Sequence, residues 1–277
     1  MNQHGLIVVV SGDESRTMLA DAPHRKPVLC NVSTPFAGPS NFTHGPASTE
    51  DFNMLASEKD VLEVTSNYDQ KQAWLYFEKH KRGFWHRVAN WCEQHMAARA
   101  LAMAGEPESL LDLPCGAGRF WKLLARAPAR QLMAADYSQD MINTALNFQS
   151  PHIANRFKTF QTSAFEISLP DAAVDCIFCM RLLHHVGREE ARAKMFREFH
   201  RVSRDTVCMS LWVDGNLQGS RRRRSQSRRQ TYQYHTRFLF DRSQIEPEFR
   251  QCGFDIIGYA DMLPGFSMWR TYVLKRR

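Results

Sequence analysis

Ser109-Leu-Leu-Asp-Leu-Pro-Cys-Gly-Ala-Gly118 is the stretch on which the reading of this chain turns. Ser109 to Leu113 is a short apolar run of the kind that forms a buried strand. Pro114 to Gly118 form a loop that ends it, and a helix is expected to follow over Arg119–Ala127, stopping before Pro128. A glycine-rich turn between the carboxyl end of a first strand and a helix lets backbone approach a ligand closely, because no Cβ stands in the way. The helix start behind it offers free N–H groups. Gly116 and Gly118 are expected to be the positions where a side chain would collide with a nucleoside or amino-acid moiety. Asp112, at the strand end, can reach the loop amides or a ligand's ammonium group.

Outward from this stretch the texture alternates. Gln131–Ala135 reads as a strand, Ser138–Asn147 as a helix and Phe157–Thr162 as a third strand. Val174–Met180 is a continuous apolar run, as expected of a central parallel strand buried on both faces. Arg188–Val202 reads as a helix and Thr206–Val213 as a strand. The tail adds a helix at Asp241–Cys252, then strands at Phe254–Tyr259 and Ser267–Leu274. Such alternation predicts a doubly wound α/β sheet. Asp136 falls at the end of the second strand, eighteen residues after Gly118. A carboxylate there can accept both hydroxyls of a ribose.

Two rivals share this layout and fail on particular residues. A dinucleotide fingerprint needs a third glycine at position 121, which is Trp121, and no Tyr-x-x-x-Lys pair supports hydride transfer. A phosphate-cradling P-loop needs Gly-Lys-Ser/Thr after the turn, and none follows.

The stretch Leu110–Val186 resembles the class I S-adenosylmethionine (SAM) dependent methyltransferases of the type 11 kind. Leu111-Asp-Leu-Pro-Cys-Gly-Ala-Gly-Arg119 resembles their first motif, with Pro114 where the first glycine usually sits. Asp136-Tyr-Ser-Gln-Asp-Met141 resembles the ribose-binding acid and the start of the next helix. Leu169-Pro-Asp-Ala-Ala-Val-Asp175 and Leu182-Leu-His-His-Val186 resemble the segments around the fourth strand, and Gly253-Phe254 fits before the last strands. The resemblance implies a mostly parallel, seven-stranded, Rossmann-like sheet, with SAM as cofactor. It places cofactor contacts at Asp112, Pro114, Cys115, Gly116, Ala117, Gly118, Asp136 and Tyr137. Where relatives often carry an acid against the adenine amino group, this chain has Ser163, followed by Ala164; Ser163 can still hydrogen-bond adenine.

By the same layout His184 and His185 stand at the mouth of the site. An imidazole titrating near neutrality suits deprotonation of a hydroxyl nucleophile, which makes His184 the candidate catalytic base; the alternative is that the pair packs behind the loop. Arg181, just before, is a candidate for the cofactor carboxylate or an anionic substrate. No Asn/Asp-Pro-Pro-Tyr sequence follows the fourth strand, where Cys179-Met-Arg-Leu182 stands instead, and this disfavours methylation of base amines.

The net charge of +7 is concentrated. Arg221, Arg222, Arg223, Arg224, Arg228 and Arg229 supply nearly all of it, with no acid among them. This insertion, at about 218–237, is read either as a solvated arm or as a grip on phosphates of an anionic membrane or RNA, with Tyr232, Tyr234 and Phe238 as aromatic neighbours. The seven cysteines are scattered, and Cys176-Ile-Phe-Cys179 lies in an apolar strand without partners for a zinc site. No metal is therefore expected. Reduced cysteines, a five-residue apolar stretch at Leu6–Val10 and no long apolar run point to a cytoplasmic protein without a transmembrane segment.

Residues 1–53 are rich in Pro, Ser, Thr, Asn and Gly and are expected to be disordered. Residues 54–106 form a helical extension, with Trp74, Phe77, Phe84, Trp85, Val88, Trp91, Cys92, Met96 and Leu101 at helical spacing. It serves as core packing or as a lid over the pocket. The domain proper is expected over 107–277. Three functional readings follow: a methyltransferase acting on a small-molecule or lipid-like acceptor, an RNA or protein methyltransferase recruited by the arginine run, and a non-catalytic SAM-fold binding protein.

Overall fold

The computed structural model describes residues 84–228 and 237–277. The expectations for residues 1–53 and for the helical pattern before Phe84 lie outside the described residues, as do Arg229, Tyr232 and Tyr234. In chain order the elements are α1 (Phe84–Met103), β1 (Ser109–Asp112), α2 (Trp121–Leu124), β2 (Gln131–Asp136), α3 (Gln139–Phe148), α4 (Pro151–Ala154), β3 (Phe157–Gln161), β4 (Val174–Cys179), a 3-10 turn (Leu183–His185), α5 (Glu189–Val202), β5 (Ser203–Trp212), α6 (Leu217–Arg228), α7 (Arg242–Gln251), β6 (Phe254–Asp261) and β7 (Trp269–Arg276).

Seven strands form one sheet in the order β3-β2-β1-β4-β5-β7-β6. The pairs from β3 through β5 are parallel, and β7 runs antiparallel between β5 and β6. The strand order reverses between β1 and β4. In open α/β sheets that reversal opens a crevice at the carboxyl ends of the strands, which here are Asp112, Asp136, Cys179 and Trp212.

Side chains alternate across the sheet as strand geometry requires. Leu110, Cys176, Phe178 and Cys208 pack with Ala97, Ala100 and Leu101 of α1 and with Trp121 and Ile142. Leu111, Ile177, Cys179, Val207 and Met209 pack on the other face with Phe196 and Phe199 of α5 and Phe249 of α7. Cys176 and Cys179 thus point to opposite faces, which is why the C-x-x-C spelling makes no cysteine pair.

Three local readings need correction. The helix expected over Arg119–Ala127 is a single turn, Trp121–Leu124. Trp121 is fully buried and stacks on Phe157, ring centroids 4.2 Å apart, so the bulky residue that breaks the dinucleotide fingerprint is a core residue. In α1 the buried stripe is Cys92, Met96, Ala97, Ala100 and Leu101, while Trp91 is 66% exposed and stacks on His95. The arginine run is helical as far as Arg228, with Asn216 as its N-cap: the Asn216 Oδ1 accepts from the Gly219 N–H at 2.8 Å.

The amino ends of the strands are tied separately. Asp175 accepts from the Ser109 N–H and hydroxyl at 2.8 and 2.7 Å and pairs with Arg204 at 2.7 Å, joining β1, β4 and β5. That edge is an electrostatic weld, and the opposite edge is left for a ligand.

Candidate functional site

Asp112 ends β1 with its carboxylate buried, and neither oxygen has a hydrogen-bond partner. An unsatisfied buried carboxylate is costly. Burial pushes its pKa well above the carboxylate range; the nearby Trp121 indole N–H opposes this, though not in normal hydrogen-bond geometry, and the charge of Asp136 adds to it. Asp136 ends β2, is also buried, and is braced: its Oδ2 accepts from the Gly116 N–H at 2.9 Å and its Oδ1 from the Ser138 N–H at 3.0 Å. Burial raises its pKa to about 6 in spite of those N–H groups. Each oxygen keeps a lone pair for a further donor.

The loop between the two acids follows a cis Leu113–Pro114 peptide. Cys115 donates its N–H to the Ala135 carbonyl at 2.9 Å, which lashes the loop to β2. Gly116 has φ +51°, and a Cβ there would enter open space. Gly118 differs from expectation. At φ +70° its Cβ would lie 3.0 Å from the Trp121 ring and 3.1 Å from the Ala145 Cβ, so it is glycine for packing against the protein's own core. Of the amides at the helix start, the Trp121 N–H is committed to the Gly118 carbonyl, and in the loop the Gly118 N–H donates to the Cys115 carbonyl. Cys115 and Ala117 are buried walls of the loop.

β3 extends the site sideways. Thr162 donates its N–H to the Asp136 carbonyl at 3.1 Å, bringing Ser163 and Ala164 beside the end of β2. The Ser163 Oγ accepts from the Phe165 N–H at 3.1 Å, and its rotatable hydroxyl proton remains available to donate. Tyr137 is exposed next to Asp136, its carbonyl held by Gln161 Nε2 at 2.7 Å.

Residues 111–207, which include the strand ends Asp112, Asp136 and Cys179, match the family model described as a methyltransferase domain. Over those residues the chain carries a methyltransferase domain. Two solved structures of magnesium protoporphyrin IX methyltransferase from Synechocystis PCC 6803 share its fold. The one with bound S-adenosylhomocysteine (SAH) aligns with TM-score 0.63 at 14% identity, covering 78% of this chain and 99% of that one. The one with bound SAM aligns with TM-score 0.59 at 13% identity, covering 79% and 98%. No curated protein matches the chain.

Beyond β4 the methyltransferase domain departs further from what spacing suggested. His184 is buried and stacks on Trp212 with ring centroids 4.8 Å apart, with Trp269 edge-on at 5.0 Å. Burial, with the positive charges around it, pushes its pKa down to about 2. An imidazole so weakly basic is poorly matched to proton abstraction near neutrality; its place in the ring stack suits packing. Arg181, at φ +66°, turns its guanidinium toward α1, where it pairs with Glu93 at 3.1 Å and lies 5.1 Å from the Trp269 ring centroid. Arg119 pairs with the same carboxylate at 2.9 Å, and its Nε donates to Asn90 Oδ1 at 2.9 Å.

Glu93, Arg119, Trp212 and Trp269 were not singled out from sequence. Glu93 carried a faint signal, a carboxylate beside Cys92 on the apolar stripe of α1. The aromatic pair carried none, because Trp212 and Trp269 meet only through the β5–β7 register.

The arginines of α6 have separate environments. Arg223 pairs with Asp241 and lies near Asp214. Arg222 lies over the Trp212 ring, 4.6 Å from its centroid. Arg221 and Arg224 face outward. Among the described residues no cluster of His, Cys, Asp and Glu could hold a metal ion, and no helix is long and apolar enough to cross a membrane.

Proposed function

We propose that this methyltransferase domain transfers the methyl group of SAM to a small-molecule or lipid-like acceptor. The observation that carries the reading is the pair of buried carboxylates, Asp112 and Asp136, on either side of a loop whose Gly116 opens onto free space. The donor set fits the cofactor. Asp136 has spare acceptors for two ribose hydroxyls. Asp112, without partners in the protein alone, would pair with the ammonium of the methionyl part. Ser163 and the backbone at Ala164 suit the adenine edge, with Tyr137 alongside, and Gly116 admits the nucleoside at backbone distance.

SAM supplies a sulfonium-activated methyl group. The chain's own part is then positioning, which by itself contributes much of the rate of such transfers. The Glu93 side chain, only 8% exposed, ties α1 to Arg119 after β1 and to Arg181 after β4. This tie holds α1 beside the segments that follow β1 and β4, in keeping with a compact acceptor.

Incubation of the full chain with methyl-labelled SAM and fractionated cell extract, followed by mass spectrometry, tests the reading. Label in a low-molecular-weight or lipid fraction supports it. Label in RNA or protein, lost when Arg221–Arg229 are replaced, would instead favour recruitment by the arginine run. SAH binding without label in any fraction would favour a binding protein.

A further inference from the structure

At the carboxyl edge of β5 two guanidinium groups share one indole. Arg222 lies 4.6 Å and Arg237 5.9 Å from the Trp212 ring centroid. The Arg222 Nη2 donates to the Arg237 carbonyl at 3.1 Å, so the two segments are tied backbone to side chain while their charges repel. Cation–π contact holds such groups in place without neutralising them.

The acids of this neighbourhood are already engaged. Glu93 is held by Arg119 and Arg181. Asp241 is held by Arg223, and Asp214 by Arg242 at 3.4 Å. Among the described residues neither Arg222 nor Arg237 meets a carboxylate. Burial first, and then the nearby charges of His185, Arg181, Arg237 and Arg222, lower the pKa of His184, which stacks on Trp212. Burial and the charge of Arg237 lower the Arg222 pKa as well.

A second observation is independent of charge. Three buried polar atoms without hydrogen-bond partners fall in this one cluster: Trp212 Nε1, His184 Nδ1 and Arg222 Nε. The Trp212 side chain is itself buried, and it pairs in register with Trp269 at the start of β7. Arg237 is exposed.

We propose that Arg222 and Arg237, carried on Trp212, bind an anionic group, a carboxylate or a phosphate, of the methyl acceptor. The proposal rests on the methyltransferase reading and adds the charge of its substrate. Arginine forks bind such groups through paired, charge-assisted hydrogen bonds, and here the anion relieves repulsion that the protein leaves in place. The site lies on the same edge of the sheet as Asp112 and Asp136, at the far side of β4.

The test uses the full chain saturated with SAH, with benzoate, phenyl phosphate and the neutral benzyl alcohol as probes, in calorimetry at fixed ionic strength. Wild type is expected to bind an anionic probe at least tenfold more tightly than Arg222→Gln/Arg237→Gln. Lys275→Gln, at the other end of β7, should bind it like wild type. Preference for benzoate identifies a carboxylate and preference for phenyl phosphate a phosphate. Equal affinity in wild type and the double variant, no anion binding by wild type, or equal binding of benzyl alcohol overturns the proposal. Arg237→Gln alone, at an exposed position, keeps the test decisive if the Arg222 variant misfolds. SAH binding is measured on the same samples. Its absence in wild type sinks the cofactor reading, whereas intact SAH binding with unaltered anion affinity sinks only this proposal.

Discussion

Asp112 is a carboxyl group with nothing to bind inside the protein. Burial pushes its pKa well above the usual carboxylate range, which favours the protonated form while the site holds no cation. An ammonium brought against it favours the carboxylate, so cofactor binding should expel that proton. SAH calorimetry at pH 7 in buffers of different ionisation enthalpy is expected to reveal release of up to about one proton, and Asp112→Asn should remove most of the buffer dependence. A buffer-independent enthalpy in wild type would place the ammonium elsewhere. The places of Asp112 and Asp136 at strand ends, and of Gly116 in the loop between them, were legible in sequence because local patterning fixes where strands stop. Gly118 was misread because the atoms it must avoid, in Trp121 and Ala145, come together only in the fold.

Among the elements, α1 joins sheet packing to the site. Its buried stripe lies on the sheet, and Glu93 holds Arg119 and Arg181 at 2.9 and 3.1 Å. Removing the carboxylate leaves two partly buried guanidinium groups without their counter-ion, a change that costs about 3 kcal/mol or more. Glu93→Gln is therefore expected to lower Tm by roughly 6–12 °C and to raise the KM for the acceptor more than that for SAM. A variant with unchanged Tm and kinetics would show the ion pairs to be incidental. In α6, Asn216→Ala should cost about 1 kcal/mol through the lost cap, measured by chemical denaturation. That helix was not legible in sequence. Its run of like charges offers no apolar stripe, and beside the local Asn216 cap what orders it is tertiary: Arg223 on Asp241 and Arg222 on Trp212. The doubly wound sheet was legible because seven apolar runs and the helices between them carry their own periodicities.

For the whole molecule, Asp136 links the site to global stability. Its folded-state pKa of about 6 lies above the unfolded value near 3.9. Between those two values the native state binds more protons than the unfolded chain, so stability falls as pH rises. The full cost, on the order of 3 kcal/mol at 1.36 kcal/mol per unit, is present above about pH 6. Asp136→Asn removes the titration and keeps the shape. The stability difference between variant and wild type, which cancels the other titrating groups, should move by about that amount in the variant's favour from pH 4 to pH 7. SAH acts in the opposite sense, because ribose hydroxyls need the acceptor oxygens of the carboxylate. Its affinity for wild type should weaken, by at most about tenfold per unit, as pH falls below about 6. At roughly 100 times its Kd it adds about 2.7 kcal/mol to stability, or about 5–11 °C in Tm. Scanning calorimetry of both proteins with and without SAH across this pH range checks both signs together. A stability difference that does not change with pH would mean that Asp136 titrates normally, and that its burial between Gly116 and Ser138 carries no electrostatic cost for the cofactor to exploit.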